Sequence, residues 1–255
     1  MTKTIALAGK GGTGKTTIAA LLIRSLLPQI RGPLLAIDAD PASNLHLALG
    51  LPMPTTVGDI REEMSESSKA RQLGLSISRQ DYLLHEIRMA LEEGEEMDLL
   101  AMGRPEGQGC YCAVNHMLRQ IIDDLGRTYE YVVIDNEAGM EHISRRTTRD
   151  VNLLLLVTDP TIRGVRTAAE MAELAKQLEI NVQRTMLIVN RVQGDLPAPL
   201  QEAIANLNLE VAVMIPADFN VNQLDALGKP LLQLNGDSAA YQAVEDLTAR
   251  ILNWL

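Results

Sequence analysis

The chain has 255 residues, 46% of them hydrophobic and 22% charged, a composition that supports a full core and excludes wholesale disorder. Its net charge of −10, with no run of five like charges, speaks against a nucleic-acid partner, whose binding rests on Lys and Arg displacing counterions. No apolar stretch reaches the roughly 18 residues needed to span a bilayer, and Met1–Leu7 is too short for a secretion signal, so a cytoplasmic protein without a membrane anchor is expected.

Short runs rich in Leu, Ile and Val alternate with stretches of helical periodicity from one end to the other. Thr4–Leu7 reads as a buried strand, Thr16–Leu27 as a helix and Leu34–Asp38 as a second strand. From about Gly50 to Pro105 the rhythm breaks; Glu62–Lys69 is polar, Arg88–Glu96 strongly charged, and only Tyr82–Leu91 reads as helical. With no Pro/Gly/Ser linker at either side, this stretch is expected to be a partly helical insertion on one domain covering 1–255. Strands then follow at Tyr131–Asp135, Asn152–Val157, Thr185–Asn190 and Val211–Ile215, with helices at Val165–Leu178 and Pro197–Leu207. At the C-terminus Tyr241, Val244, Leu247, Ile251 and Trp254 recur at helical spacing; Glu245 and Asp246 deny that helix a basic face for anionic lipid, so it is expected to pack on the sheet. The alternation predicts an α/β fold, a doubly wound and mostly parallel sheet of about seven strands with helices on both faces. Ligands in such folds lie at the carboxyl ends of the strands.

Gly9-Lys10-Gly11-Gly12-Thr13-Gly14-Lys15-Thr16 fits the pattern G-x-x-x-x-G-K-S/T, placed after a strand and opening a helix. Glycines let the backbone curl until successive N–H groups converge on phosphate oxygens, and the positive end of the helix adds to the attraction. Gly11, Gly12, Thr13, Gly14, Lys15, Thr16 and Thr17 are therefore expected to bind ATP or ADP, with Lys15 on the β- and γ-phosphates and the Thr16 hydroxyl on Mg²⁺.

Lys10, directly before the glycine pair, resembles the second lysine of the deviant phosphate loop shared by septum-positioning ATPases, plasmid-partition ATPases and the nitrogenase iron protein. That resemblance implies a homodimer clasping two nucleotides face to face, with Lys10 reaching the partner's phosphates as an arginine finger does. It also implies roles for two acidic segments at strand ends. Asp38 would hold a water bound to Mg²⁺, Asp40 would orient or activate the attacking water, Asp135 would be the second switch aspartate, and the Gly139 amide would sense the γ-phosphate. Asn190 resembles the family's adenine-contacting asparagine and Pro216-Ala217-Asp218 its adenine-facing loop.

Both cysteines of the chain fall in Gly107-Gln108-Gly109-Cys110-Tyr111-Cys112. Two thiolates so close can chelate one soft ion while filling only half of a tetrahedral sulfur shell, and the same segment of a symmetric partner would complete it. The ordinary alternative is a pair of free cysteines packed as small apolar groups. His116 follows four residues after Cys112, as a nitrogen ligand or an exposed side chain. Cys110-Tyr111-Cys112 with Val114-Asn115-His116, and Glu137-Ala138-Gly139-Met140-Glu141-His142 after the second switch, resemble the nickel-insertion accessory ATPases of carbon monoxide dehydrogenase. The resemblance implies Ni²⁺ or Zn²⁺ shared between subunits through Cys110 and Cys112, and a client that is carbon monoxide dehydrogenase or acetyl-CoA synthase. Two rivals remain at this stage. One is an iron–sulfur electron-transfer ATPase like the nitrogenase iron protein, whose cluster cysteines come from well-separated segments. The other is a division or partition switch, for which neither a membrane tail nor a basic surface is evident.

Overall fold

The central strands are apolar on both sides, and this divides the interior into two cores with the sheet between them. The computed structural model describes residues 1–66, 79–104, 120, 122–138, 150–177 and 181–255. Strands β1 (Lys3–Gly9), β2 (Leu34–Ala39), β3 (Glu92–Glu93), β4 (Met97–Ala101), β5 (Tyr131–Asn136), β6 (Asp150–Thr158), β7 (Asn181–Val192) and β8 (Glu210–Pro216) lie in the order β3-β4-β2-β5-β1-β6-β7-β8. All neighbouring pairs are parallel except β3 with β4.

Side chains alternate across this sheet with the strand period of two. Ile5 and Leu7 of β1 face helices α1 (Lys15–Leu26) and α8 (Ala239–Trp254), while Ala6 and Ala8 join the core beneath α3 (Val57–Glu66), α4 (Arg79–Met89), α5 (Ile162–Gln177) and α6 (Ala198–Ala205). Two shorter helices, α2 (Leu45–Leu49) and α7 (Phe219–Ala226), follow β2 and β8. The doubly wound architecture is thus as expected, and the strand and helix bounds differ from the sequence reading by a few residues; Leu178 lies outside the described residues.

Among the described residues the sheet has eight strands where the sequence predicted about seven, and β3 and β4, which the sequence reading does not foresee, lie in the stretch read as an insertion. β4 is a full member of the sheet, pairing Leu34↔Met97 through Asp38↔Ala101 with β2. A charged run before it and Asp98 within it disguised the strand; Asp98 is accounted for by the Tyr129 hydroxyl, which donates to its carboxylate at 2.6 Å. Between β2 and β4, α3 starts on a reciprocal cap in which the Thr56 hydroxyl accepts from Asp59 N–H at 3.1 Å and Asp59 Oδ2 accepts from Thr56 N–H at 3.0 Å.

The C-terminal helix spends its apolar face inside the protein. Ser238 caps α8 by accepting from Tyr241 N–H at 3.1 Å, and Tyr241, Val244, Leu247 and Ile251 are buried with α1 and the sheet. The Arg24 guanidinium lies 4.1 Å over the Tyr241 ring and fastens α1 to α8. No helix among the described residues is long and apolar enough to cross a membrane. Leu247 has no exposure, so Leu247→Ala should cost about 2–5 kcal/mol in denaturant unfolding, through lost burial and a cavity. A helix whose apolar stripe served as a lipid anchor would lose less than about 0.5 kcal/mol by the same measurement.

Candidate functional site

β1 lies between β5 and β6, with β2 and β4 beyond β5 and β7 and β8 beyond β6, so the strand order changes direction at the crevice beside its carboxyl end. The loop from Gly9 to Gly14 occupies it. Gly9 must be glycine because a Cβ there would collide with the Val157 carbonyl oxygen of β6. Gly14 precedes α1 at φ 90°, and a Cβ would lie 2.5 Å from Asn190 Nδ2. No side chain caps the first turn of α1, in contrast to α7 and α8, which Asp218 and Ser238 cap. The N-terminal N–H groups of α1 are therefore left for an anion.

Within the loop, donors converge on one carbonyl. Lys10 O accepts from the Thr13 hydroxyl at 2.9 Å, from Thr13 N–H at 3.4 Å and from Lys15 Nζ at 3.4 Å. Lys15 is buried, and among the described residues the hydrogen-bond acceptor for its Nζ is this neutral oxygen, with the Asp135 carboxyl near enough to interact with its charge; a phosphate would give it a charged hydrogen-bond partner. Lys10 itself is exposed at the rim.

The ends of β2 and β5 bring three carboxylates to the same crevice. Thr16 Oγ1 donates to Asp135 Oδ2 at 2.6 Å, while the other Asp135 oxygen is buried with no hydrogen-bond partner among the described residues. Burial raises the Asp135 carboxyl to about 7, against the Thr16 hydrogen bond and the Lys15 charge, with Asp38 and Asp40 adding to the rise. Asp38 also rises by burial, to about 6. Its two oxygens accept from Leu45 N–H at 2.8 Å and Asp40 N–H at 3.1 Å, which makes it the anchor of the turn after β2. Asp40 folds that turn further by accepting from Ala42 N–H at 2.8 Å. A hard divalent cation matches this donor set, since it satisfies the orphaned Asp135 oxygen beside a hydroxyl and keeps the carboxylate ionised.

On the other flank, Asn190 lies near the end of β7 and Pro216 ends β8. Asn190 Nδ2 donates to Thr13 O at 2.8 Å, and Arg191 Nη1 donates to Gly12 O at 3.0 Å. Thr17, Asn190, Arg191, Pro216 and Asp218 line a small pocket beside α1. Sequence reading missed Arg191, which carries no motif, and Asn136, whose amide ties β5 to β1 by donating to Leu7 O at 2.8 Å. Their partners lie far off in sequence, so no local pattern reveals them.

A family model for the CobQ/CobB/MinD/ParA nucleotide-binding domain matches residues 4–231. The chain belongs to that family. It is 41% identical over 249 residues to an uncharacterized ATP-binding protein of Methanocaldococcus jannaschii, covering 98% of both. It is 34% identical over 186 residues to the carbon monoxide dehydrogenase accessory protein CooC of Rhodospirillum rubrum, covering 69% of this chain and 70% of that one. Among solved structures, the cell-division ATPase MinD of Pyrococcus furiosus superposes with TM-score 0.71 at 22% identity over both whole chains. MinD of Pyrococcus horikoshii, complexed with Mg-ADP, gives 0.68 at 22% identity over 98% of this chain and 96% of that one. The structure thus assembles Lys10, Lys15, Thr16, Asp38, Asp40, Asp135, Asn190 and Pro216 around one crevice of a P-loop ATPase fold. Cys110, Cys112, His116, Gly139, Glu141 and His142 lie outside the described residues.

The raised carboxyls give the nucleotide-free protein a pH dependence of fixed sign. Folded Asp135 and Asp38 keep protons up to about 7 and about 6, whereas unfolded ones release them near 3.8. Their contribution to stability is therefore largest below the unfolded value and is lost as pH rises through that window. If the ionised Asp135 carboxylate takes up the cation of a Mg-nucleotide, affinity should rise with pH over the same interval and binding should release protons. Calorimetry between about pH 5 and pH 8 should show both trends in the wild type and a flatter profile for Asp135→Asn.

Proposed function

We propose that this ATPase is a metal carrier that dimerises with nucleotide, holds one metal ion between subunits on Cys110 and Cys112, and assists nickel insertion into carbon monoxide dehydrogenase or acetyl-CoA synthase. The observation that carries the reading is the relationship to the carbon monoxide dehydrogenase accessory protein, in a chain whose only two cysteines form a single C-x-C. Nickel or zinc is the cargo, taken by four thiolates that two copies of the segment supply. Thiolates that must stay reduced suit the cytoplasm.

In this reading ATP lies along the crevice with its phosphates on the Gly11–Thr17 loop and its base between Asn190 and Pro216. Lys15 exchanges the Lys10 carbonyl for phosphate oxygens. Thr16 and Asp135 would hold Mg²⁺, Asp38 would hold a water bound to it, and the Gly139 amide would sense the γ-phosphate. Bound Mg²⁺ offsets the charge of the β- and γ-phosphates. Asp40 orients the attacking water, and Lys10 crosses to the partner's phosphates, so hydrolysis requires the dimer. A dimer that forms and opens with the nucleotide state would grip and release the shared ion. A division-type switch is the second reading, favoured by the MinD relatives in the same family; the burial of the α8 apolar face weighs against a lipid-anchored version of it.

Lys15→Ala should lose nucleotide binding, while Lys10→Ala should bind ATP as a monomer yet fail to dimerise or turn over. Equal loss of binding in both variants removes the trans role of Lys10. Metal analysis together with dimer mass decides the cargo. The wild type should carry one ion per dimer, Cys110→Ala and Cys112→Ala should carry none, and ATP should shift metal affinity and be shifted by it reciprocally. One ion per chain, or binding that survives loss of the thiols, leaves a nucleotide switch without cargo.

A further inference from the structure

Adjacent residues of a regular strand point to opposite faces of the sheet. The end of β7 departs from that rule. Val189 pairs with Met214 and Val192 with Pro216, so β7 carries one residue more than β8 across this interval, at Asn190 and Arg191. An extra residue of this kind bends a strand and re-aims its side chains, and such bulges concentrate beside functional sites. Arg191 takes up the distortion at φ 58°, a region that non-glycine residues seldom adopt, and its N–H donates to Asn190 Oδ1 at 2.9 Å. Two consecutive side chains thereby reach the same loop, Asn190 at the Thr13 carbonyl (2.8 Å) and Arg191 at the Gly12 carbonyl (3.0 Å).

In a trans peptide the carbonyl and the N–H point in opposite directions. The Gly12 and Thr13 carbonyls belong to the peptide units that carry the Thr13 and Gly14 N–H groups. Pinning both oxygens toward β7 sets the planes of two successive units at the tip of the loop. Thr13 N–H is left with only the long 3.4 Å bond to Lys10 O, which a phosphate oxygen can replace.

We propose that Arg191 is a positioning residue for the nucleotide phosphates: with Asn190 it clamps the Gly12 and Thr13 carbonyls and so presets the loop N–H groups that receive phosphate. This rests on reading Gly11–Thr17 as the phosphate site, and it is independent of the metal cargo. Because the same two residues line the pocket with Thr17 and Pro216, the clamp also joins the base side of the site to its phosphate side.

The test compares ATP with inorganic tripolyphosphate, which has no base, on the wild type and on Arg191→Gly, Arg191→Ala and Arg191→Lys. Arg191→Gly suits the positive φ and isolates loss of the guanidinium from backbone strain. Arg191 is exposed, so the melting temperature of the nucleotide-free protein should hardly move. Affinity for both ligands should fall by the same factor, roughly ten-fold, in the glycine and alanine variants, as expected for one lost charge-assisted hydrogen bond. Arg191→Lys, which keeps a cationic donor, should retain most of the affinity. Unchanged tripolyphosphate binding in Arg191→Gly overturns the proposal, whether ATP binding is unchanged as well or weakened alone through the base. A wild type that binds neither ligand removes the phosphate-site reading, and this inference with it.

Discussion

A parallel sheet covered on both faces has almost nowhere to put a polar side chain except the ends of its strands. In this protein that constraint determines the whole site. Along the strands the buried residues are mostly Ala, Ile, Leu and Val, and apart from Thr4 at the start of β1 the buried polar strand residues Asp38, Asp135, Asn136, Thr158 and Asn190 sit at or near the ends of β2, β5, β6 and β7. Because these strands run parallel, their carboxyl ends share one edge, and residues far apart in the chain meet around the β1–α1 loop.

What meets there is chemically incomplete without a ligand. Among the described residues, no side chain caps the first turn of α1, Lys15 Nζ donates to a neutral carbonyl, and one buried oxygen of Asp135 has no hydrogen-bond partner. The first two features are unsatisfied positive potential and the third is an unsatisfied acceptor. A phosphate chain carrying a divalent cation supplies both complements at once, with anionic oxygens for the helix and the lysine, and a cation for the carboxylate. The upward shift of Asp135 has the same origin, since burial disfavours its charged form.

The remaining elements hold this crevice open and in register. Asp38 uses both oxygens on backbone N–H groups and so fixes the turn that carries Asp40. The bulge at the end of β7 holds the loop from the other flank. α8 closes the face behind α1 with its own apolar stripe, which makes the C-terminus part of the support for the loop. The β1–α1 segment is therefore held from both flanks of β1, by Asp135 through Thr16 on one and by Asn190 and Arg191 on the other.

The sequence alone determined the doubly wound class, the glycine-rich loop between β1 and α1, and the placement of Asp38, Asp135 and Asn190 toward strand ends, because each of these depends on local features. A glycine pattern encodes a local backbone path, and a short apolar run ending in a polar residue encodes a buried strand and its functional end. β4 escaped because a charged run precedes it and Asp98 interrupts it, and the Tyr129 hydroxyl that satisfies Asp98 arrives from elsewhere in the chain. Arg191 escaped for the same reason in another form, as strand alternation would have pointed it away from the loop and only the mismatch between β7 and β8 turns it back. The orphaned oxygen of Asp135 and the double duty of Asp38 were likewise decided by the tertiary structure, since burial and hydrogen-bond supply are properties of neighbours that the fold brings together.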